Sequence, residues 1–267
     1  MNTTQKVIKY IALALAIFLC VSIISSICGA LGLAFHIFRG RDVVGEMKDY
    51  AISGKITELT VDLDAAQLNI QRGDAFLVQS NHKHLSVKES GGELNVSERS
   101  GIFSFSEAAQ VTIFVPEDVT FQMVTIDTGA GNVRLEALST DELDLDLGAG
   151  KTTIDDLTVY DVTEIDGGAG KLTITDSRLN DLHLDMGAGK LELAAAVTGD
   201  SSIDCGVGAL ELTLLGRESE YEIALDKGIG SATLEGESMQ DDHIYGSGDN
   251  YLEIEGGVGS VQIQFQP

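Results

Sequence analysis

From Asp127 onward apolar and polar residues alternate at period two, in runs such as LDLDL (143–147) and LHLDM (182–186). Alternation of this kind sends successive side chains to opposite faces of a strand, whereas an amphipathic helix repeats its apolar positions about every 3.6 residues. Short strands are predicted, and they are punctuated. Seven times an acid is followed, two places on, by a glycine, any residue and a second glycine: Asp127-TGAGNVRL, Asp146-LGAGKTTI, Asp166-GGAGKLTI, Asp185-MGAGKLEL, Asp204-CGVGALEL, Asp226-KGIGSATL and Glu255-GGVGSVQI. The acids stand 19, 20, 19, 19, 22 and 29 residues apart. A near-fixed period of this length marks a solenoid. Upstream, VDLDAAQLNI (61–70) reads as an eighth copy without glycines, as expected of a terminal repeat that caps a stack.

Each copy has an internal logic. The residue before the acid is always apolar (Ile126, Leu145, Ile165, Leu184, Ile203, Leu225, Ile254), so the acid points the other way. Past the glycines, apolar residues resume in the sixth and eighth places, as with Leu172 and Ile174 after Asp166. The inward parity has switched, which requires a bulge or corner, and glycine tolerates the unusual angles or close packing there. The predicted structural corners are therefore Gly129 and Gly131, Gly148 and Gly150, Gly168 and Gly170, Gly187 and Gly189, Gly206 and Gly208, Gly228 and Gly230, and Gly257 and Gly259. Each period is expected to hold two short strands joined at such a corner, followed by a polar return such as Asp155-Asp156. Stacking the periods predicts an all-β fold, a right-handed parallel β-solenoid of ~19–20-residue repeats over residues 125–267. Residues 56–124 read as irregular N-terminal β coils or a cap. There LSVKESGGELNV (85–96) is a hairpin around Gly91-Gly92, and VTIFVP (111–116) is a strand stopped by proline.

The N-terminal segment follows a different rule. Residues 7–38 are apolar but for Lys9 and His36 near the ends and a few serines. The stretch from Tyr10 to Phe35 exceeds the roughly 20 residues that span a bilayer core. Cys28-Gly29-Ala30 resembles a signal-peptidase site, but the apolar run is longer than the roughly 7–15 residues usual in a cleaved leader, so an uncleaved helix over 10–35 is expected. Residues 1–9 would form a short cytoplasmic tail and 36–55 a juxtamembrane linker, with the large C-terminal part extracytoplasmic. The membrane is thus an expected partner.

Charge narrows the partners further. The first fifty residues hold five of the 17 Lys/Arg and three of the 42 Asp/Glu, leaving 12 bases against 39 acids in the rest. Such a surface repels nucleic acid and anionic lipid. Cys20 and Cys28 fall in the apolar segment, so Cys205 has no partner for a disulfide framework. It occupies the place of Leu147 and Met186 in other copies and is expected in the core.

A leading hydrophobic helix, the VTIFVPEDV segment (111–119) and the serial acid-x-G-x-G copies together resemble a bacterial candidate-adhesin domain found in envelope proteins of many Gram-positive species. That family includes the Lia-operon type of membrane-anchored protein associated with cell-envelope stress. The resemblance spans about Thr57 to Phe265. It implies a β-solenoid-like fold, an envelope location and no established catalytic residues. Adhesin-like binding or scaffolding, without catalysis, is the expected function, the partner being an envelope component or a membrane protein. An envelope-stress accessory protein that binds another membrane protein is the first alternative, and a solenoid polysaccharide hydrolase or lyase the second.

Candidate chemistry is sparse. GAGKTT (148–153) suggests a phosphate loop, but Leu145 stands where the first glycine is required and strand-formers follow. Stacked copies would align Asp127, Asp146, Asp166, Asp185, Asp204 and Asp226 about 4.8 Å apart, at a cost near 0.9 kcal/mol per neighbouring pair in water. Hydrogen bonds from each corner's own N–H groups, with help from Lys151, Lys171 and Lys190, would relieve this. Calcium bound between these six acids is the alternative relief. The calcium nonapeptide, however, places an acid two residues past its last glycine, where Leu172 stands after Gly170. No cofactor is therefore expected. Asp241, Asp242 and His243, in the insertion behind the 29-residue spacing, read as a polar surface loop, and His82-Lys83-His84 as a strand edge lacking a third metal ligand.

Overall fold

The computed structural model describes residues 44–98, 109–241 and 243–267. The expected membrane helix and any cleavage site lie outside them. Among the described residues no helix is long and apolar enough to cross a membrane.

The fold is all-β, with a single 3-10 turn at Glu218–Glu220 as its only described helix. The fourteen strands among the described residues belong to one open sheet. The principal strands are β2 (Glu58–Gly73), β7 (Phe121–Asn180), β8 (Leu182–Thr198), β9 (Asp200–Leu215), β10 (Tyr221–Asp226), β11 (Ile229–Leu234) and β14 (Asn250–Gln266). They pair in parallel with the repeat register: Asp166 faces Asp185, Asp185 faces Asp204, and Gly170, Gly189 and Gly208 face one another in turn. Within the sixty residues of β7 the chain completes successive rungs, Gly148 lying against Gly129 and Gly168 against Gly148. This arrangement is compatible with a solenoid.

The inward residues form a continuous aliphatic core. In the rung that contains Asp146 they are Leu143, Leu145 and Leu147, then Thr152 and Ile154, then Leu157 and Val159. Parity therefore changes twice, and a rung holds three strand segments where the sequence predicted two and a polar return. The second change falls at Asp156 and, one rung on, at Asp176, both in the left-handed region at φ 56 and 49. Aspartate is among the few non-glycine residues that visit that region routinely, so the acids of the supposed return make a second corner.

Space departs from chain order at both ends. β14 lies between β9 and the β10–β11 rung: Glu255 pairs with Asp204 on one side and with Asp226 on the other. Likewise β2 lies between β7 and an outer rung made of β5 (Glu93–Glu98) and β6 (Gln110–Pro116). The first and last full rungs of the repeat are thus penultimate in the stack. Antiparallel strands close the outermost edges, where unpaired backbone would otherwise template association. β3 (Leu77–His82) covers β6 and is itself covered by β1 (Val44–Ala51), a strand in what was expected to be linker. β4 (Leu85–Ser90) forms the predicted hairpin with β5, turning through Gly91 and Gly92 at φ 65 and 95. At the other end β12 (Glu237–Ser238) covers β11 and β13 (His243–Gly246) covers β10. Aromatic pairs sit at these ends, Phe76 with Phe121 and Tyr221 with Phe265, while the middle of the stack is aliphatic.

Candidate functional site

The residues singled out by the repeat converge on one corner and the strand leading into it. The glycines make the corner possible. A Cβ built on Gly187 would stand 2.7 Å from the carbonyl oxygen of Gly168, and one on Gly206 2.6 Å from that of Gly187. The second glycine of each copy is tighter still against the backbone of the rung before it, as Gly189 is against Gly170. Neighbouring rungs therefore touch backbone to backbone, and the residue between the glycines projects outward. In register this middle residue is Ala188, Val207, Val258 and Ile229, an apolar ridge in which Val207 and Ile229 are about half exposed. Gly167 is different: it takes the place of Leu147 and Met186, and a cavity of about 20 Å³ remains beside it.

Along one flank of the ridge runs the acid column. Asp62 pairs with Asp127, and the series continues through Asp146, Asp166, Asp185, Asp204 and Glu255 to Asp226, every one of them exposed. Partial burial, then Asp146, Asp62, Asp64 and Asp144, raise the Asp127 carboxyl above its ordinary value of 3.8. Burial followed by Glu164, Asp166 and Asp146 does the same for Asp144. These neighbours reveal a second, shorter acid column two residues upstream, Asp144 and Glu164, which the sequence reading passed over. Its signal was the acid that recurs two places before the aligned one, as in LDLDL.

The expected reliefs are only partly used. Asp226 alone among the column acids accepts a hydrogen bond from its own corner, from the Gly228 N–H at 3.0 Å. Lys171 and Lys190 turn instead toward the second strand segment. Lys171 Nζ lies 2.7 Å from Glu192, and Lys190 Nζ lies 2.8 Å from both Glu192 and Glu211. These two lysines hold Glu192 down to about 2 through their hydrogen bonds. Among the described residues no group of three or more His, Cys, Asp or Glu is placed to hold a metal ion.

The remaining candidates fall elsewhere. Asp241 accepts the Lys227 N–H at 2.9 Å, so it ties its loop to the Asp226 corner, and Asp242 lies outside the described residues. His243 is exposed, its ring edge-on to Tyr245. His82 is buried with Nε2 3.1 Å from Glu98 Oε1, while Glu98 Oε2 accepts the Asp64 N–H. His82 and Glu98 thus join the cap to the ladder, and His84 N–H donates to His82 Nδ1. Cys205 is buried opposite Met186, and burial, reinforced by Asp204, pushes its thiol up.

These elements define a class: an all-β domain of stacked, glycine-cornered strands in one open sheet. Residues 56–254 match the model of the Toastrack DUF4097 family, a domain family of unknown function, and the chain belongs to it. No curated protein matches. Among solved structures, a candidate adhesin from Bacteroides fragilis is similar with a TM-score of 0.53 at 15% identity, over 82% of this chain and 96% of that one. A candidate adhesin from Parabacteroides distasonis aligns at a TM-score of 0.44 and 14% identity, over 83% and 98% of the two chains. For a candidate cell adhesion protein from Clostridium sporogenes the values are 0.41 and 14%, over 83% and 99%. The Bacteroides likeness supports the fold.

Proposed function

We propose that this chain is a right-handed β-solenoid, anchored in the membrane by the Tyr10–Phe35 segment and facing outward, that makes non-catalytic contact with envelope components or a partner protein. The observation that carries this reading is the unbroken eight-rung acid column beside the apolar ridge. A long, repetitive face of one charge suits an extended partner that is cationic and presents apolar side chains. The fold likeness to the Bacteroides fragilis candidate adhesin is consistent with contact rather than chemistry as its role.

Crosslinking in intact cells tests the proposal. Partners captured by the wild type should be lost when Asp146, Asp166 and Asp185 are changed together to Asn. Capture that is indifferent to those changes would remove the column from the argument. Protease added to cells stripped of outer wall should digest the C-terminal part, and digestion only after lysis would overturn the outward placement.

A further inference from the structure

The third segment of the rungs carries a groove with its own cause. Between Ile174 and Ser177 the register slips, because Thr175 and Asp176 stand opposite the single Ala194. Rungs on the β7 side of this bulge turn through the extra residue at Asp156 and Asp176; from β8 onward Ala195 pairs with Leu214 and Leu215 with Gln266, without it. Bulges of this sort re-aim side chains. The step between the two kinds of rung leaves an open groove of about 690 Å³. Ala196, the partner of Arg178, is its floor. Tyr160, Asp176 and Arg178 rise on one side, Leu215 and Gln266 on the other.

Three properties point to a ligand class. Tyr160 is 54% exposed on the rim of a concavity, a flat apolar face with a hydroxyl at its end. Asp176 and Arg178 form no ion pair with any described residue, whereas Asp156 is held 3.0 Å from Arg72. A carboxylate and a guanidinium left free two residues apart offer planar acceptor and donor forks, the geometry that adjacent hydroxyls satisfy. The volume lies in the range of about 300–1,000 Å³ typical of small-ligand clefts. From Tyr160 to Gln266 the groove crosses four rung spacings, roughly 19 Å, so it suits a chain of rings rather than one. Two aspartates on the same rim, in a protein of net charge −25, disfavour an acidic polymer.

We propose that the step between bulged and unbulged rungs, centred on Ala196 and walled by Tyr160, Asp176 and Arg178, is a binding groove for a neutral oligosaccharide. It is independent of the acid column and stands or falls separately.

Titration calorimetry of the full chain with cellotetraose, maltotetraose and chitotetraose tests it, with tetragalacturonate as the anionic comparison. At least one neutral tetrasaccharide should bind at millimolar concentration or below. Tyr160→Ala, Arg178→Gln and Ala196→Leu should each weaken it by about tenfold or more, while Tyr160→Phe, which keeps the ring face, stays within about threefold. Ala196→Leu copies Leu215 of the next rung and fills the groove. All these side chains point away from the core, so melting temperatures should hold. If one variant melts early, the others decide. No binding by any neutral sugar, binding that survives both Tyr160→Ala and Ala196→Leu, or tighter binding of tetragalacturonate would overturn the proposal.

Discussion

Replacing Gly189 by alanine tests the stacked corners most directly. The new Cβ would fall inside contact distance of the Gly170 carbonyl, and Gly189 holds φ at 142, where L side chains are strained. Non-bonded heavy atoms settle near 3.5 Å, so the two rungs would separate locally by more than about 1 Å. That separation stretches at least two ladder hydrogen bonds flanking the corner, each contributing about 1 kcal/mol net, and the backbone strain adds about 1–3 kcal/mol. The expected loss is about 3–5 kcal/mol, or on the order of 10 °C in melting temperature for a domain of this size. Gly167→Ala is the control. Its Cβ would meet the flexible Met186 side chain, Sδ at 3.3 Å and Cγ at 3.8 Å, and the Asp185 carbonyl at 3.5 Å, beside the small cavity, with no left-handed φ to strain. It should be neutral or stabilise by up to about 1 kcal/mol, because alanine also restricts the unfolded chain. Urea and thermal melts followed by far-ultraviolet circular dichroism measure both. If Gly189→Ala melts within about 2 °C of wild type, or if the two variants fall together, glycine is not recurring for close approach.

Two further outcomes follow from the charges. Asp64, Asp127 and Asp144 keep their protons to higher pH when folded than their ordinary 3.8, because burial and then neighbouring acids disfavour the charged form; that destabilisation is fully present above the raised values and is relieved as pH falls through them. Glu192, held near 2, contributes the opposite way: its stabilisation is present above its ordinary 4.5 and is lost as pH falls toward 2. Melting temperature should therefore be level from about pH 8 down to the raised carboxyl values, rise as pH falls through them toward 3.8, and fall again as Glu192 takes its proton toward pH 2, and added salt should flatten the rise; a fall with no intervening rise would contradict the ladder. Glu98→Ala should cost about 1–2 kcal/mol in urea melts, because the Asp64 N–H loses its acceptor and the buried His82 ring its neighbouring carboxylate. A loss under about 0.5 kcal/mol would show that the pair does not fasten the cap.

Much of this architecture was legible because burial imposes a strict parity. Leu145, Leu172 and Leu191 advertise the core by spacing alone, and the glycine pairs mark where parity switches. The second switch was hidden. Asp156 and Asp176 bend the chain as glycine would, yet as acids they resemble a solvent-exposed return, and Leu157 and Val159 beyond them were not recognised as a third inward segment. The pairing of Lys171 and Lys190 with Glu192 was equally obscure, since it joins residues of adjacent rungs whose proximity depends on register rather than on sequence distance. The order of the last two rungs left a trace in the spacings of 22 and 29 residues, but the sequence alone does not say that Glu255 sits inside Asp226.

That inversion at both ends governs how such a chain is completed and how it can lengthen. Because β14 is held between two earlier strands, its slot stays open until Asn250–Gln266 has been made; this rung arrives as an insertion, not an addition. A duplicated copy appended after Gln266 would find no free flank of β14 to extend, whereas one placed between Asp127 and Asp204 would simply add a layer. Lengthening by duplication is therefore confined to the middle of the molecule, and its two closures are inherited as fixed fittings.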